Sequence, residues 1–143
     1  MNVKEVMTAD PACCTSDTSL QEVAKLMVDY DCGCIPVVDG KSTKKPIGMI
    51  TDRDITIRTV AEGKNPLDLT VSDAMSPNPI TVTPLTSLED CCNLMGSNQV
   101  RRVAVIDEAG SCCGIIAQAD IALNAKDAKT AEVVQEVSKS AAA

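Results

Sequence analysis

At 143 residues the chain can bury one respectable core, and this length favours one globular domain of two fused halves over two independent domains. Lys and Arg number 13 against 20 Asp and Glu, and the net charge of −7 argues against a general nucleic-acid binder, because phosphate affinity needs clustered cations. Histidine is absent, which removes His-dependent triads and the commonest zinc ligand; with no Phe or Trp and Tyr30 the single aromatic, the core must be aliphatic, with Met and Cys filling gaps.

No stretch approaches the ~20 apolar residues of a membrane span, and Met1-Asn2-Val3-Lys4-Glu5 lacks a signal-peptide apolar region, so a soluble cytoplasmic protein with no membrane partner is expected. The chain also repeats itself. A shift of 68 residues lays Val3, Met7, Pro11, Thr15, Thr18, Ser19, Leu20, Leu26, Met27, Val37 and Asp39 on identical residues, from Val71 to Asp107. Beyond Asp39 the shift falls to 66, and Gly48, Ile50, Asp54 and Ile55 meet Gly114, Ile116, Asp120 and Ile121. Two copies imply a pseudo-twofold module in which each half alone is marginal.

In chain order, Cys13-Cys14-Thr15 and its copy Ile80-Thr81-Val82-Thr83 suit short extended segments after Pro11 and Pro79. Thr18-Ser19-Leu20-Gln21 and Thr86-Ser87-Leu88-Glu89 read as capping boxes opening helices. Leu20, Val23, Ala24 and Met27 keep the i, i+3, i+4, i+7 spacing of a buried stripe, repeated by Leu88, Cys91, Cys92 and Met95. Ile35-Pro36-Val37-Val38 with Ile47-Gly48-Met49-Ile50 predicts a hairpin, as does Val103-Ala104-Val105-Ile106 with Cys113-Gly114-Ile115-Ile116. Lys41, Lys44 and Lys45 fall in the longer first loop, as solvated turn residues.

Thr51-Asp52-Arg53-Asp54 is a further capping box, and its helix is expected to run to about Gly63, a natural C′ residue. Each half thus reads strand, helix, strand, strand, helix, an α/β (α+β) fold. The first repeat spans 1–64, a linker 65–70 and the second repeat 71–126; residues 127–143 hold an amphipathic helix from Thr130 through Val133, Val134 and Val137, then a disordered Ser140-Ala141-Ala142-Ala143. Most of the eight cysteines lie where the other repeat has small hydrophobes: Cys91 and Cys92 match Val23 and Ala24, Cys113 Ile47, Cys32 Val100 and Cys14 Val82. Core packing is the expected role, and no pair has Cys-x-x-Cys spacing.

The order of elements, Val6-Met7-Thr8 with Pro11, Ala74-Met75-Ser76 with Pro79, Ile35-Pro36-Val37-Val38-Asp39 and Gly48-Met49-Ile50-Thr51-Asp52-Arg53-Asp54-Ile55 together resemble the paired cystathionine β-synthase (CBS) domains, or Bateman module, over nearly the whole chain. In particular, the chain resembles small stand-alone bacterial two-repeat proteins. That resemblance implies a non-enzymatic regulator holding AMP, ADP, ATP or S-adenosylmethionine in a cleft between the repeats, and a homodimer.

An aspartate at a helix start can accept two hydrogen bonds from vicinal ribose hydroxyls, which suits Asp54 and Asp120. Thr51 would add a hydroxyl and Arg53 a charged fork to phosphate near the helix N-terminus. The second copy keeps Asp120 but has Ala117 and Ala119 in the places of Thr51 and Arg53. The resemblance also brings in Arg101 and Arg102; neighbours on a strand face opposite ways, so one serves as a ligand arm, Arg102 being favoured. Without aromatics, adenine would rest on aliphatic and main-chain groups around Thr15 or Thr83, and Ile35-Pro36 or Val103-Ala104.

Two other readings stand beside this one: a metal or thiol redox sensor using Cys13, Cys14, Cys32, Cys34 and Cys112, and a ligand-free association module. An enzyme is disfavoured, since the chain has no Walker-type loop, nucleophile elbow or histidine base.

Overall fold

Residues 1–124 and 127–139 are described, from a computed structural model; the expected disorder of Ser140–Ala143 lies outside them. The chain forms β1 (Thr8–Ala9), α1 (Leu20–Asp29), β2 (Cys34–Val38), β3 (Pro46–Thr51), α2 (Asp52–Arg58), β4 (Ser76–Pro77), β5 (Thr81–Val82), α3 (Leu88–Asn98), β6 (Arg102–Ile106), β7 (Cys112–Ala117), α4 (Gln118–Asn124) and α5 (Asp127–Ser138). This is the expected α/β architecture with its tandem repeat. The C-terminal helix is present and buries Val133 and Val137.

Side-chain packing assembles two units. One comprises Pro11–Pro79 with Glu108–Cys112, the other Met1–Asp10 and Ile80–Asp107 with the described residues from Cys113. In the first, β2 and β3 form the predicted antiparallel hairpin, Cys34 opposite Thr51 and Ile35 opposite Ile50, and β4 adds a third strand with Met49 opposite Ser76. Its core is Cys14, Leu20, Val23, Ile35, Val37, Ile50, Val71 and Ala74. In the second unit the strand order is β1-β7-β6-β5, with β5 parallel to β6. Val3, Val6, Val82, Leu88, Cys91, Met95, Val103, Val105, Ile116 and Ile121 fill its core, closed by Val133 and Val137 of α5.

The opening segment of each repeat is therefore built into the unit that carries the other repeat's hairpin. Val3 and Val6 join Val103 and Ile116, while Val71 and Ala74 join Ile35 and Ile50. Main-chain bonds fix both placements: the Val3 and Lys4 amides donate to Thr86 and Pro84 carbonyls at 2.9 Å, and the Val71 and Ser72 amides to Thr18 and Ser16 at 2.8 and 2.9 Å.

Three local expectations are corrected. The N-caps of α1 and α3 are Ser19 and Ser87, each accepting from the amide three residues on, Glu22 and Asp90, at 3.1 and 3.0 Å. Thr18 and Thr86 instead accept from Thr15 and Thr83 amides at 3.0 Å, closing the preceding turns, so neither begins its helix. The helix after Thr51 ends at Arg58 because the Thr59 hydroxyl bonds back to the Ile55 carbonyl at 2.5 Å and the backbone leaves helical geometry. A 3-10 turn, Val60–Glu62, carries the chain to Gly63, which takes the left-handed cap conformation at φ 73°. Cys32 is exposed rather than in the core, lying in the turn between α1 and β2.

Candidate functional site

Asp54 sits at the third position of α2, where its carboxylate and the Thr51 hydroxyl cap one another: the Thr51 amide donates to Asp54 Oδ2 at 3.1 Å and the Asp54 amide to Thr51 Oγ1 at 3.0 Å. Asp54 is only 9% exposed. Among the described residues its second oxygen, Oδ1, meets only long contacts, Ser76 Oγ at 3.4 Å and Arg58 Nη1 at 3.9 Å. Arg58 is turned by stronger bonds to the carbonyls of Ala74 and Met75 at 2.9 and 2.7 Å. The buried carboxylate thus has one oxygen committed to the fold and one able to accept stronger donors. Arg53 projects from the exposed side of α2.

Gly48 explains how Ser76 comes so close. A Cβ at Gly48 would stand 2.6 Å from the Ser76 carbonyl oxygen, so β4 pairs tightly only against glycine. Ser76 and Arg58 were not singled out by the sequence. The i, i+4 spacing of Asp54 and Arg58 was the available signal for Arg58; for Ser76 it was the strand that its segment forms.

The second repeat keeps half of this arrangement. Asp120 Oδ2 accepts from the Ala117 amide at 2.8 Å, yet Ala117 offers no hydroxyl in return. The Arg101 carbonyl accepts from the Gln118 amide at 2.8 Å, as the Gly33 carbonyl accepts from Asp52 at 3.0 Å. Arg101 is therefore held at the start of α4, close to Asp120 in the chain's path. Its Nε, and Gln118 Oε1, are buried with no hydrogen-bond partner. Arg102 begins β6, half-buried.

Within the unit that holds Asp54, Thr15 and Thr51 lie at opposite ends of β2. Cys14 bridges Val37 in parallel, which sets Thr15 beside the Val38 end of β2, while Thr51 faces Cys34 at the other end. Four residues of strand, about 13 Å, separate those ends. The Thr15 hydroxyl is engaged with Asp17 at 2.5 Å, which holds that carboxyl below its ordinary value. Thr83 is exposed and bonded to Thr86. Ile35, Val103 and Ala104 are at most 1% exposed, in apolar cores, and the Pro36 carbonyl accepts from the Cys14 amide at 3.0 Å.

Thr15 lines a cleft of about 340 Å³ together with Pro11, Cys13, Cys14, Thr18, Val38, Lys41 and Lys44. Two of the lysines read as loop cations thus face a concave surface. Asp39 organises this loop, accepting from the Thr43 hydroxyl at 2.6 Å and the Lys45 amide at 2.9 Å, which lower its carboxyl from the ordinary value. Burial and the neighbouring Cys34 push the Cys14 thiol up to about 12, and burial with Cys92 does the same to Cys91. Among the described residues no group of three or more Cys, Asp and Glu side chains could hold a metal ion.

Two copies of a helix-capping aspartate behind a Gly-containing hairpin strand, each completed by the other repeat's leading segment, define a tandem two-repeat domain architecture. The CBS domain family model matches residues 3–58 and 71–126, and the chain belongs to that family. CBS domain-containing protein YhcV of Bacillus subtilis is 39% identical over 123 residues, 86% of this chain and 84% of that protein. Among solved structures, hypoxic response protein I with two coordinated zinc ions superposes with a TM-score of 0.76 at 30% identity, covering 88% of this chain and 100% of the other. The CBS domain pair of MJ0100, bound to 5′-methylthioadenosine and S-adenosyl-L-methionine, gives a TM-score of 0.76 at 26% identity over 86% of this chain and 98% of the other. No helix among the described residues is long and apolar enough to cross a membrane.

Proposed function

We propose that this CBS pair, residues 1–143, is a non-enzymatic cytoplasmic sensor that binds an adenosine-containing ligand, AMP, ADP, ATP or S-adenosylmethionine, in a cleft between the repeats, and forms a homodimer. The observation that carries the reading is Asp54: a buried carboxylate whose Oδ1 has only long contacts, at a helix start in a family whose member MJ0100 was solved with two adenosine compounds. Its remaining acceptor capacity, engaged only by these long contacts, suits the hydroxyls of a ribose. The Thr51 hydroxyl and Arg53 lie on the same turn, where a helix N-terminus favours phosphate. Asp120, with Arg101 and Arg102, gives the second repeat a related but barer turn.

Val28, Tyr30, Ile57, Val60 and Leu67 are exposed apolar side chains of the first unit, and they support self-association.

Calorimetric titration of the full chain with AMP, ADP, ATP and S-adenosylmethionine tests the reading. Saturable binding of one of them is expected, with a ligand at a hundred times its Kd adding about 2.7 kcal/mol to stability. Asp54→Asn keeps an oxygen for the Thr51 amide and should remove the binding while the protein stays folded. Folded protein that binds none of the four overturns the proposal.

A further inference from the structure

Replacement of core hydrophobes accounts for Cys91 and Cys92, which stand where the first repeat has Val23 and Ala24. It does not account for Cys13 and Cys112, whose counterparts in the other repeat are Thr81 and Pro46. The fold brings these two together from distant parts of the chain. The Asp10 amide donates to the Cys113 carbonyl at 3.1 Å, and the Cys112 amide donates at 2.7 Å to the carbonyl of Lys44, which lines the same cleft as Cys13; the Ser111 hydroxyl adds a bond to the Thr43 carbonyl at 2.6 Å. Cys112 is buried, 6% exposed, and its side chain hydrogen-bonds that of Cys13.

Cys13 is half-buried on the wall of the 340 Å³ cleft, beside Lys41 and Lys44, so a small reagent can reach it. We propose that Cys13 and Cys112 form a reversible thiol–disulfide pair, with Cys13 the thiol oxidised by hydrogen peroxide and Cys112 the thiol that resolves it.

The hydrogen bond from Cys112 lowers the Cys13 thiol from its ordinary value, and the charge of Lys44 acts the same way, against burial and the neighbouring Cys14. Cys14, pushed up to about 12, stays protonated and inert beside it. In the first step the Cys13 thiolate attacks one peroxide oxygen; the S–O bond forms, the O–O bond breaks, and the departing hydroxide takes a proton and leaves as water. Cys13 sulfur is oxidised by two electrons, to the sulfenic acid, and the peroxide is reduced. In the second step Cys112 sulfur attacks Cys13 sulfur; the S–S bond forms, the S–O bond breaks, and the hydroxyl leaves with the Cys112 proton as a second water. A dithiol reductant restores both thiols.

The test uses the full reduced chain treated with hydrogen peroxide, capped with N-ethylmaleimide, digested and analysed by mass spectrometry. A Cys13–Cys112 linked peptide, two hydrogens lighter than the sum of its parts and abolished by dithiothreitol, is expected before the exposed Cys32 is oxidised. In Cys112→Ser, dimedone should trap the sulfenic acid at Cys13, and in Lys44→Ala maleimide capture of Cys13 at pH 7 should slow severalfold. Oxidation at Cys32 with Cys13 recovered as its maleimide adduct overturns the proposal, as does a Cys13–Cys14 bridge or a Cys112→Ser protein without a dimedone adduct at Cys13. The wild-type peptide map alone suffices if either variant fails to fold. Adenosine-ligand binding plays no part in these readouts, so this inference stands or falls apart from the proposed function.

Discussion

Arg58 Nη1 stands 3.9 Å from Asp54 Oδ1 while donating to the Ala74 and Met75 carbonyls at 2.9 and 2.7 Å. One guanidinium thus tethers α2 to the segment that leads into β4. Arg58→Met leaves both carbonyls without this donor and Asp54 without its cation, and should cost about 2 kcal/mol. Thermal unfolding checks it, with Tm expected to fall by roughly 6 to 10 °C.

The two capping aspartates set up a gain-of-stability experiment. Asp120 already caps the Ala117 amide, but position 117 has no hydroxyl to answer the amide of residue 120. Ala117→Thr supplies what Thr51 supplies in the first repeat, and should stabilise the protein by about 1 kcal/mol in urea unfolding.

Gly48 and Gly114 occupy equivalent places, yet an added methyl meets different neighbours. At Gly48 it runs into the Ser76 backbone oxygen at 2.6 Å; at Gly114 the nearest atom is the Met7 Sδ at 2.5 Å, the far part of a flexible side chain. Gly48→Ala should therefore cost about 2 to 3 kcal/mol and Gly114→Ala distinctly less, as compared by denaturant midpoints.

Cys14 and Cys91 make the fold sensitive to base. Their folded-state pKa values, about 12, exceed the ordinary 9.0, so the folded protein holds protons that the unfolded chain has given up. Their contribution is complete below pH 9 and is lost as pH rises from 9 towards 12, at up to about 1.4 kcal/mol per pH unit for each thiol. Cys14→Val and Cys91→Val, each borrowing the residue of the other repeat, should flatten the decline in urea unfolding measured between pH 8.5 and 10.5.

Fragments should divide by packing rather than by repeat. Residues 11–79 hold β2, β3 and β4 with Val71 and Ala74, whereas 1–64 lacks all three of the latter. Circular dichroism is expected to show more structure and a clearer thermal transition for 11–79 than for 1–64.

The local grammar was legible because each signal sat within a few residues. Thr51 with Asp54 and the hairpin from Ile35 to Ile50 form as read; of the α1 stripe, Leu20 and Val23 are buried and Met27 partly so, but Ala24 is exposed and Leu26 packs against the core instead. What stayed hidden depends on distance. Nothing around Val3 says that it packs with Val103 rather than Val37, since both hairpins offer similar apolar residues. β1 and β4 are two residues long, too short to show a period. At the site, residue types pointed to Asp54 and Thr51, but only strand register places Thr15 at the far end of β2, and only the fold pairs Cys13 with Cys112.

The crossed leading segments also order events as the chain leaves the ribosome. The hairpin Cys34–Thr51 emerges early, but its third strand and two of its core residues wait until Ala74 to Pro77 have followed. Met1–Asp10 waits longer still, since β1 pairs with Gly114 and Ile115 of β7. Residues made early are thus placed late, and a nascent chain that has not yet reached Ile116 holds an orphaned apolar arm in Val3 and Val6.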